Sequence, residues 1–591
     1  MSTLANEQQA FLRRLRNDPA FLLKHAPALA FAVFRKIRNK ITITLSTRHR
    51  GRKIKPDWLL TEALVTHRQE PTGTALNITT LPIYPCMSRA RLKKSVDHAD
   101  ERVAENDIED YLAEHRWGFL RAALLNECAD RRSNFDACIR WIARNSDKAD
   151  RMWEPYSACE RVANLLIYIA ATPVAMRAEE IPRQLLEFLD DSLKWIYQHL
   201  EYYGSSGTNN HILNNARALV MAGVAIGNSA AISVGMTIFR NCLPVLIMSG
   251  GFLRERSSHY QLIVLNWTLD AWRFIAAHEG EESDDARLLY GFISRMVRAA
   301  SMLCGFDAGL FVMIGDISPD ATPADSVARL ALLYPELWPM LRESWDAVEA
   351  TDGWFRISMA QDVIVGNFPD GHYPPSFPTH GHCDLTSFVW LHAGQEILGD
   401  SGRYRYTADV VSLFQKSAIG HNLPIVNGFS PLSETLVANG LWWPLPYAGA
   451  ELESIACDGG IMLAHDGFAR ATPVTRHARR IVAQESALLV MDTFEGRGKV
   501  DLGFCWHFGE AFDGFDADHM MASGNFGRLR IGFEGVRGPP RIEPIFGAFP
   551  GGWTSYSYGR KRQRLGVCLQ WTVSLPATIS TRFVLTVVGA Q

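Results

Sequence analysis

Apolar residues recur at helical spacing through most of the chain between about residue 106 and residue 350. From Leu185 to Leu200 they fall on one side of a helix, with Glu187 and Asp190 between them. Turns rich in Gly, Ser, Pro, Asn or Asp separate further blocks of this kind, which predicts stacked antiparallel helix pairs, an α/α toroid or solenoid. These blocks are residues 119–128, 159–171, 213–225, 234–248, 259–278, 286–303 and 326–349.

Beyond residue 351 the pattern changes to short runs of β-branched and aromatic residues between Gly-rich turns. Such runs predict an antiparallel β-sandwich. They occupy residues 363–365, 387–391, 487–491, 529–533, 566–571 and 582–587. We therefore expect a multidomain α+β protein. Its predicted parts are a basic helical lead-in (1–105), an α/α toroid that forms an incomplete barrel (106–350) and an antiparallel β-sandwich (351–591).

Composition narrows the class of partner and the cellular compartment. The chain has 591 residues, of which 47% are hydrophobic and 21% charged, as expected for folded domains. A net charge of −3 gives no reason to expect nucleic acid, although a local basic cleft can still bind an acidic polymer. The ten cysteines are never closer than ten residues apart, which is typical of buried thiols in a reducing compartment.

The N-terminus lacks the basic start and continuous apolar core of a signal peptide, so we expect a cytoplasmic protein. The apolar stretches at residues 26–41 and 218–236 are interrupted by charged or polar residues, so no membrane span is predicted.

Four stretches combine chemically active side chains with turns. In the first, Asn209-Asn210-His211 opens a predicted helix after a Gly/Ser loop. Asparagines disfavour helix unless a polar site or a cap compensates. An N-cap at Thr208 or Asn209 with a surface His211 explains the same residues.

In the second stretch, Ser257 is placed to cap a helix that carries Tyr260 in its first turn. Arg254 and Arg256 lie close by in sequence, and positive charge lowers a tyrosine pKa. The alternative is an ordinary amphipathic tyrosine beside a solvated charge cluster.

The third stretch is His380-Gly381-His382, followed by Asp400 and His421. In a strand, alternation sends both imidazoles of His-x-His to one face, so one can bind metal while the other faces substrate. Imidazole and carboxylate ligands suit zinc, although structural histidines are more common than metal ligands.

The fourth, weaker stretch surrounds Trp153 and Arg161. The indole could stack on a sugar ring and the guanidinium could pair with a substrate carboxylate. A core tryptophan and an ion pair within the helical region are the alternative.

Together these stretches resemble the heparinase II/III-like family of polysaccharide lyases, which also contains alginate and oligo-alginate lyases. The likeness spans about residues 150 to 560. Its carrying motifs are Asn209-Asn210-His211, Arg254-Glu255-Arg256-Ser257 with Tyr260, His380-Gly381-His382-Cys383-Asp384 with Ser387-Phe388, Gly399-Asp400-Ser401-Gly402-Arg403-Tyr404-Arg405-Tyr406, His421-Asn422, Gly552-Trp553-Thr554-Ser555 and Tyr558-Gly559.

The resemblance implies β-elimination at a uronic acid, in a cleft between a toroid and a sandwich. This reaction needs a neutraliser for the carboxylate, a base for the C5 proton and an acid for the departing 4-oxygen. By resemblance, Asn210 with His211 is the neutraliser and Tyr260 is the acid, or in a syn elimination also the base. His380 is a base or the group that polarises the carboxylate.

The resemblance also implies a largely structural zinc ion held by His382, Asp400 and His421. The substrate would be an acidic polysaccharide or oligosaccharide, and the oligomeric state stays open, with a homodimer as one alternative. The predicted substrate-binding residues are Trp153, Arg161, Arg254, Arg256 and Tyr404.

Two positions depart from the pattern of some relatives. Asn214 stands where they have Glu, and Gln261 stands where a histidine usually follows the tyrosine. These departures sustain a second hypothesis, a non-catalytic protein that binds acidic glycans or serves exopolysaccharide biosynthesis. A hydrolase is a weaker third choice, because no paired carboxylates stand out.

Overall fold

The computed structural model describes residues 107–588 except 125–129, 172–180, 204–207, 305–310, 342–347, 369–379, 408, 433–435, 439–440, 444–451, 458, 485–486 and 545–551. The predicted lead-in segment, residues 1–105, lies outside this range. The described helices are α1 (Ile108–Glu114), α2 (Phe119–Leu124), α3 (Arg131–Arg144), α4 (Pro155–Ala170), α5 (Arg183–Gln198), α6 (His211–Ile226), α7 (Ser229–Leu246), α8 (Ser258–Glu279), α9 (Asp284–Met302), α10 (Pro323–Leu333), α11 (Trp338–Leu341) and α12 (Val410–Lys416).

Most of the helices occupy the blocks that the periodicity predicts, but the block at 326–349 is not one helix. Helix α10 ends at Leu333, before Pro335, and α11 is only four residues long. Proline removes a backbone donor and clashes with the preceding turn, so Pro335 and Pro339 break the run. A strand already begins at Val348.

The strands form two large antiparallel sheets. The described strands are β1 (Val348–Thr351), β2 (Trp354–Met359), β3 (Asp362–Asn367), β4 (Val389–His392), β5 (Gln395–Leu398), β6 (Pro424–Val426), β7 (Leu436–Ala438), β8 (Leu441–Trp443), β9 (Leu452–Cys457), β10 (Gly460–His465), β11 (Val474–Gln484), β12 (Ala487–His507), β13 (Gly514–Asp516), β14 (Met521–Ser523), β15 (Gly527–Glu534), β16 (Arg541–Pro544), β17 (Trp553–Ser557), β18 (Arg560–Gln563) and β19 (Gly566–Val587). The first sheet has the order β1-β2-β3-β4-β5. The second has the order β13-β14-β15-β19-β12-β11-β10-β9, with β16 beside β19 and β6 beside β12.

The five-stranded sheet lies between two hydrophobic cores. Val363, Val365 and Val389 belong to the core that the helices form. The alternate residues Ile364 and Trp390 belong to the core shared with the ten-stranded sheet. Because successive side chains of a strand point to opposite faces, this sheet joins the helical region to the rest of the β region.

Polar and aromatic contacts reinforce this join. Trp354 of β2 stacks on Phe252, with ring centroids 5.0 Å apart. The guanidinium of Arg356 donates to the carbonyl of Met302, 2.9 Å away, at the end of α9. The backbone N–H of Phe252 donates to the Asp352 carboxylate at 3.1 Å. The two regions are therefore fixed to each other just beside the helix that carries Tyr260.

The order of helices followed by antiparallel sheets confirms the predicted α+β class. Closure of the helices into an incomplete toroid and packing of the sheets as a sandwich stay predictions. Among the described helices, α7 alone is long and apolar enough to span a membrane by length and composition, and half of it is buried in the protein. Core helices meet the same criterion.

Close contact between α6 and α7 depends on Gly235. A Cβ at this position would lie 2.8 Å from the carbonyl oxygen of Ala216 and 2.7 Å from a methyl of Val220. We expect Gly235→Ala to destabilise the protein by about 1–3 kcal/mol through overpacking, measured as a lower midpoint of thermal unfolding. Gly291→Ala in α9 is the matched control, because nothing lies within 4 Å of its Cβ. An unchanged midpoint in Gly235→Ala would contradict this helix contact.

Candidate active site

Three of the four predicted catalytic residues meet between the helical region and the β region. Asn210 precedes α6, Tyr260 lies in the first turn of α8, and His380 lies in a loop before β4. The rings of Tyr260 and His380 stack with centroids 3.6 Å apart and planes 10° apart. The amide nitrogen of Asn210 lies 3.3 Å from His380 Nε2. The sequence motifs are thus brought into one cluster.

The predicted cap of α8 is confirmed. The Ser257 hydroxyl accepts the backbone N–H of Tyr260 at 3.2 Å, which places the tyrosine as predicted. The strand expected at residues 380–382 is wrong, because this segment is a loop. His380 and His382 nevertheless reach the same partner, a carboxylate described below.

Glu255 fixes Asn210 in place. One carboxylate oxygen accepts the Asn210 backbone N–H at 2.6 Å, and the other accepts the side-chain N–H at 2.7 Å. A carboxylate at a helix N-terminus is also favoured by the helix dipole. Since Nδ2 points to Glu255 and His380, the remaining polar atom of Asn210 is Oδ1. That atom is buried and has no hydrogen-bond partner among the described residues.

His211 lies next to this cluster and carries positive charge. Its Nδ1 bonds to the Glu201 carboxylate at 2.8 Å, and its ring packs on Tyr156 with centroids 4.8 Å apart. Burial alone would lower the pKa of His211, but the Glu201 carboxylate outweighs it and raises the pKa to about 9. The imidazole is 35% exposed, so its charge is accessible to a ligand.

Tyr260 is held in its neutral form. Burial raises its pKa above the usual range, and its hydroxyl lies 3.0 Å from the hydroxyl of Tyr406. The predicted lowering of this pKa by arginines is therefore wrong. Arg254 extends toward the carbonyl of Val245. Arg256 reaches Asn367 and lies 4.0 Å from the Asp384 carboxylate.

Asp316 is the centre of the charge network. Its buried carboxylate bonds to His380 Nδ1 at 3.2 Å and to His382 Nε2 at 2.9 Å. Arg403 and Lys416 also lie 3.2 Å from its oxygens. Burial alone would raise the pKa of Asp316, but these two cations hold it well below its usual range. One carboxylate therefore orients both histidines of the His-x-His motif.

The predicted metal ligands also converge. His382, Asp400 and His421 are buried, and one ligand atom from each lies within 4.8 Å of the others. His382 Nδ1 and His421 Nε2 have no hydrogen-bond partner in the part of the chain that the structure describes. The other nitrogens bond to Asp316 and, at 2.7 Å, to Asp400. Carboxylates commonly orient metal-binding histidines in this way, so the residues fit a zinc ion.

Three of the predicted substrate contacts are corrected to packing roles. Trp153 is 4% exposed, packs against Trp141 and Trp195, and donates its indole N–H to a backbone carbonyl. Arg161 is fully buried over the Trp153 ring and donates to the Met152 carbonyl. Tyr404 is 2% exposed. At most 4% of each of these residues is exposed, so protein contacts account for them in this structure.

Arg254 and Arg256 contact the protein framework around the cluster. Arg256, only 5% exposed, connects the helical region to Asp384 of the β region. A positive φ of 58° at this non-glycine residue turns the chain just before the Ser257 cap. Arg256 thus supports the loop that positions Tyr260, and its predicted substrate contact is corrected accordingly.

The two positions that differ from the pattern of some relatives, Asn214 and Gln261, are also buried. Gln261 Oε1 accepts the Leu253 N–H at 2.6 Å, and its amide donates to the Gly251 carbonyl at 3.0 Å, so it braces the loop ahead of α8. The Asn214 carbonyl accepts from Arg217 at 3.2 Å. Neither residue faces the cluster as a substrate contact.

A cavity of about 640 Å³ lies beside this cluster, lined mainly by the helical region and also by Arg560 of β18. Tyr156, which packs on His211, forms part of its wall. Asn210, Tyr260 and His380 are not among its lining residues, so this cavity and the catalytic cluster are neighbours and not the same site. Its charged lining is mixed and includes Arg121, Arg329, Arg560, Asp110, Glu114, Glu160, Asp320 and Asp325.

Residues 343–570 match the family model described as heparinase II/III-like, C-terminal. The match covers the C-terminal region of the chain. This region contains His380 and the three predicted zinc ligands. No curated protein matches the chain in sequence.

Solved structures extend the likeness to the helical region. The crystal structure of heparinase III is 15% identical, with a TM-score of 0.61 over 82% of this chain and 79% of that chain. The heparan sulfate lyase HepC from Pedobacter heparinus is 16% identical, with a TM-score of 0.52 over 81% and 76%. At these identities the likeness concerns the fold.

Four residues that contribute to the site were not predicted from the sequence to be functional. Glu255 and Tyr406 lay within quoted motifs but received no role. Glu201 and Asp316 lie outside every quoted motif. A single carboxylate with no spacing pattern carries no signal of its own, so only the folded structure identifies Asp316.

His211 should remain protonated well above neutral pH. Because its folded-state pKa is raised, the charge and the stability it contributes are present at low pH and lost as the pH rises through about 9. Titration of the ring by NMR should show this value. In Glu201→Gln the pKa should fall toward the ordinary value of about 6.5. An ordinary pKa in the unsubstituted protein would contradict the proposed ion pair.

Proposed function

We propose that this protein is a polysaccharide lyase that cleaves a uronic-acid-containing acidic glycan by β-elimination, leaving a 4,5-unsaturated uronyl end. The observation that carries the proposal is the stacked Tyr260–His380 pair beside the cationic His211. An acid, a base and a positive charge are the three groups this elimination requires. The toroid and sandwich architecture of such lyases would place them in the cleft between the domains.

In this mechanism His211 neutralises the uronate carboxylate, which makes the C5 proton more acidic. Its imidazolium is partly exposed and is stabilised from behind by Glu201. Tyr260 keeps its proton because burial raises its pKa, so it serves as the acid that protonates the departing 4-oxygen. Tyr406 orients that hydroxyl from 3.0 Å.

His380 is the base. We assign its ring proton to Nδ1, which donates to Asp316, so that Nε2 presents a lone pair. Asn210 donates to this nitrogen from 3.3 Å and must be displaced or shifted as the base takes the C5 proton. Since both amide hydrogens of Asn210 have protein partners, its main role in this mechanism is to position His380. The neutralising charge then comes chiefly from His211.

His382, Asp400 and His421 would hold the zinc ion. When bound, zinc supplies fixed positive charge and ties the His380 loop to the β region. The step itself is carried out by side chains, as derived above. His382 shares Asp316 with His380, so a rigid His382 also restrains the base.

Two observations support an acidic glycan as the substrate: the positive charge of His211 and the similarity to known lyases. The family includes alginate and oligo-alginate lyases, and the similar structures are lyases of heparin-like glycans by name. Heparin-like, alginate-like and other acidic glycans are therefore the candidates. Burial of Asn214 and Gln261 means that these departures act on the framework around the site and not on direct substrate recognition.

The direct experiment is incubation with a panel of acidic glycans, followed by the ultraviolet absorbance of the unsaturated product. The full-length protein should produce this absorbance on at least one glycan. Tyr260→Phe and His380→Ala should each lower turnover by about 10²–10⁴-fold, because each removes a proton-transfer group.

Tyr290→Phe and His519→Ala are the matched controls, because both residues are exposed and lie outside the cluster. They should retain full turnover. If Tyr260→Phe and His380→Ala also retain it, the assignment of acid and base is wrong. Saturable glycan binding without any unsaturated product would instead support the non-catalytic alternative.

Metal analysis tests the zinc proposal separately. The purified protein should contain about one zinc ion per chain, and a chelator should lower its thermal unfolding temperature, because metal binding contributes to folding free energy. His382→Ala should lose the metal, whereas His519→Ala should keep it. Absence of metal together with an unchanged unfolding temperature in chelator would overturn the proposal.

A further inference from the structure

Two cysteines far apart in sequence face each other across the central pair of long strands. Cys505 in β12 and Cys568 in β19 are direct partners in the antiparallel register. Their sulfur atoms are 3.3 Å apart, and the Cys505 thiol donates to the Cys568 sulfur. Both side chains are buried, at 0% and 6% exposure. Both are free, buried thiols, as the sequence predicts, but they lie in direct contact with each other.

We propose that Cys505 and Cys568 form a cross-strand disulfide by exchange with a disulfide oxidant such as oxidised glutathione. A disulfide requires an S–S length of about 2.05 Å and Cβ atoms about 3.5–4.5 Å apart. Directly opposed residues of antiparallel strands have Cβ atoms about 4.5–5.5 Å apart. Closing the bond thus needs an approach of roughly 1 Å, which side-chain rotation and a small strand shift supply.

The exposure of the two thiols and the hydrogen bond between them indicate which thiol reacts first. Cys568 is the more exposed of the two and accepts the Cys505 S–H, which lowers the pKa of Cys568 and raises that of Cys505. The Cys568 thiolate attacks one sulfur of oxidised glutathione and releases one glutathione thiolate. Cys505 then loses its proton and attacks Cys568 Sγ, releasing the second glutathione. Two protein thiols are oxidised and one glutathione disulfide is reduced.

The bond would join strands that support the candidate metal cluster. His507 lies two residues beyond Cys505 on β12, and its backbone N–H donates to the Asn422 side chain at 2.8 Å. Arg564, just before β19, bonds to the His507 ring at 3.0 Å and also donates to the Asp400 carbonyl. A disulfide between Cys505 and Cys568 would therefore constrain the strand ends beside His507 and Arg564. These two residues contact the segments that carry His421 and Asp400.

Thiol mapping of the full-length protein tests the proposal. The protein is incubated with oxidised glutathione, free thiols are blocked with an alkylating agent, and peptides are analysed by mass spectrometry without reduction. A linked peptide pair containing Cys505 and Cys568 is expected, with two alkylated thiols fewer than in the reduced protein. The oxidised protein should also unfold at a temperature several degrees higher, because the bond constrains the unfolded chain.

Single variants separate the two steps. Cys505→Ser should stop at a glutathione adduct on Cys568, whereas Cys568→Ser should give no adduct at Cys505. Cys242→Ser, in α7 and outside the pair, should form the linked peptides normally. Because both thiols are buried, the same mapping is repeated on protein refolded from denaturant with oxidised glutathione. If Cys505 and Cys568 remain alkylated as free thiols in both experiments, the proposal is overturned.

Discussion

The buried carboxylate of Asp316 is the interaction on which the candidate site depends. It comes from the segment after the main helices, yet its four charged or imidazole partners all belong to the β region. Removing an isolated carboxylate from water costs on the order of several kcal/mol. Arg403 and Lys416 offset that cost, and the two histidines satisfy the remaining lone pairs. The contacts of Asp316 therefore join the helical region to the β region and orient His380 at the same time.

Three of the predicted catalytic groups are held in place by carboxylates of the protein. Glu255 holds Asn210, Glu201 holds His211, and Asp316 holds His380, so each predicted catalytic group of this set has a dedicated carboxylate. Fixed dipoles and charges need no reorganisation during a reaction, which is the main source of electrostatic catalysis. Burial keeps Tyr260 neutral by raising its pKa, whereas the Glu201 carboxylate keeps His211 charged.

The sequence predicted the α+β order and the Ser257 cap, because these depend on periodicity and capping chemistry. Its short motifs beside turns also named Asn210, Tyr260 and His380, which the fold brings together. The prediction of substrate-binding residues failed, because a sequence motif does not reveal which way a side chain faces. Trp153, Arg161 and Tyr404 have the chemistry of a glycan site but lie in packed surroundings. The Tyr260 pKa was misjudged for the same reason, because nearby arginines in sequence are directed elsewhere and burial decides the shift.

We propose that the cluster between the helical region and the β region eliminates, and neither hydrolyses nor merely binds, an acidic glycan. Product analysis in water enriched in heavy oxygen decides among these outcomes. Elimination breaks the bond without adding water, so the products should have an unsaturated uronyl end and no heavy oxygen at the cleaved position. Saturated products with one solvent oxygen taken up per bond cleaved, or an intact glycan after prolonged incubation with every candidate, would contradict it.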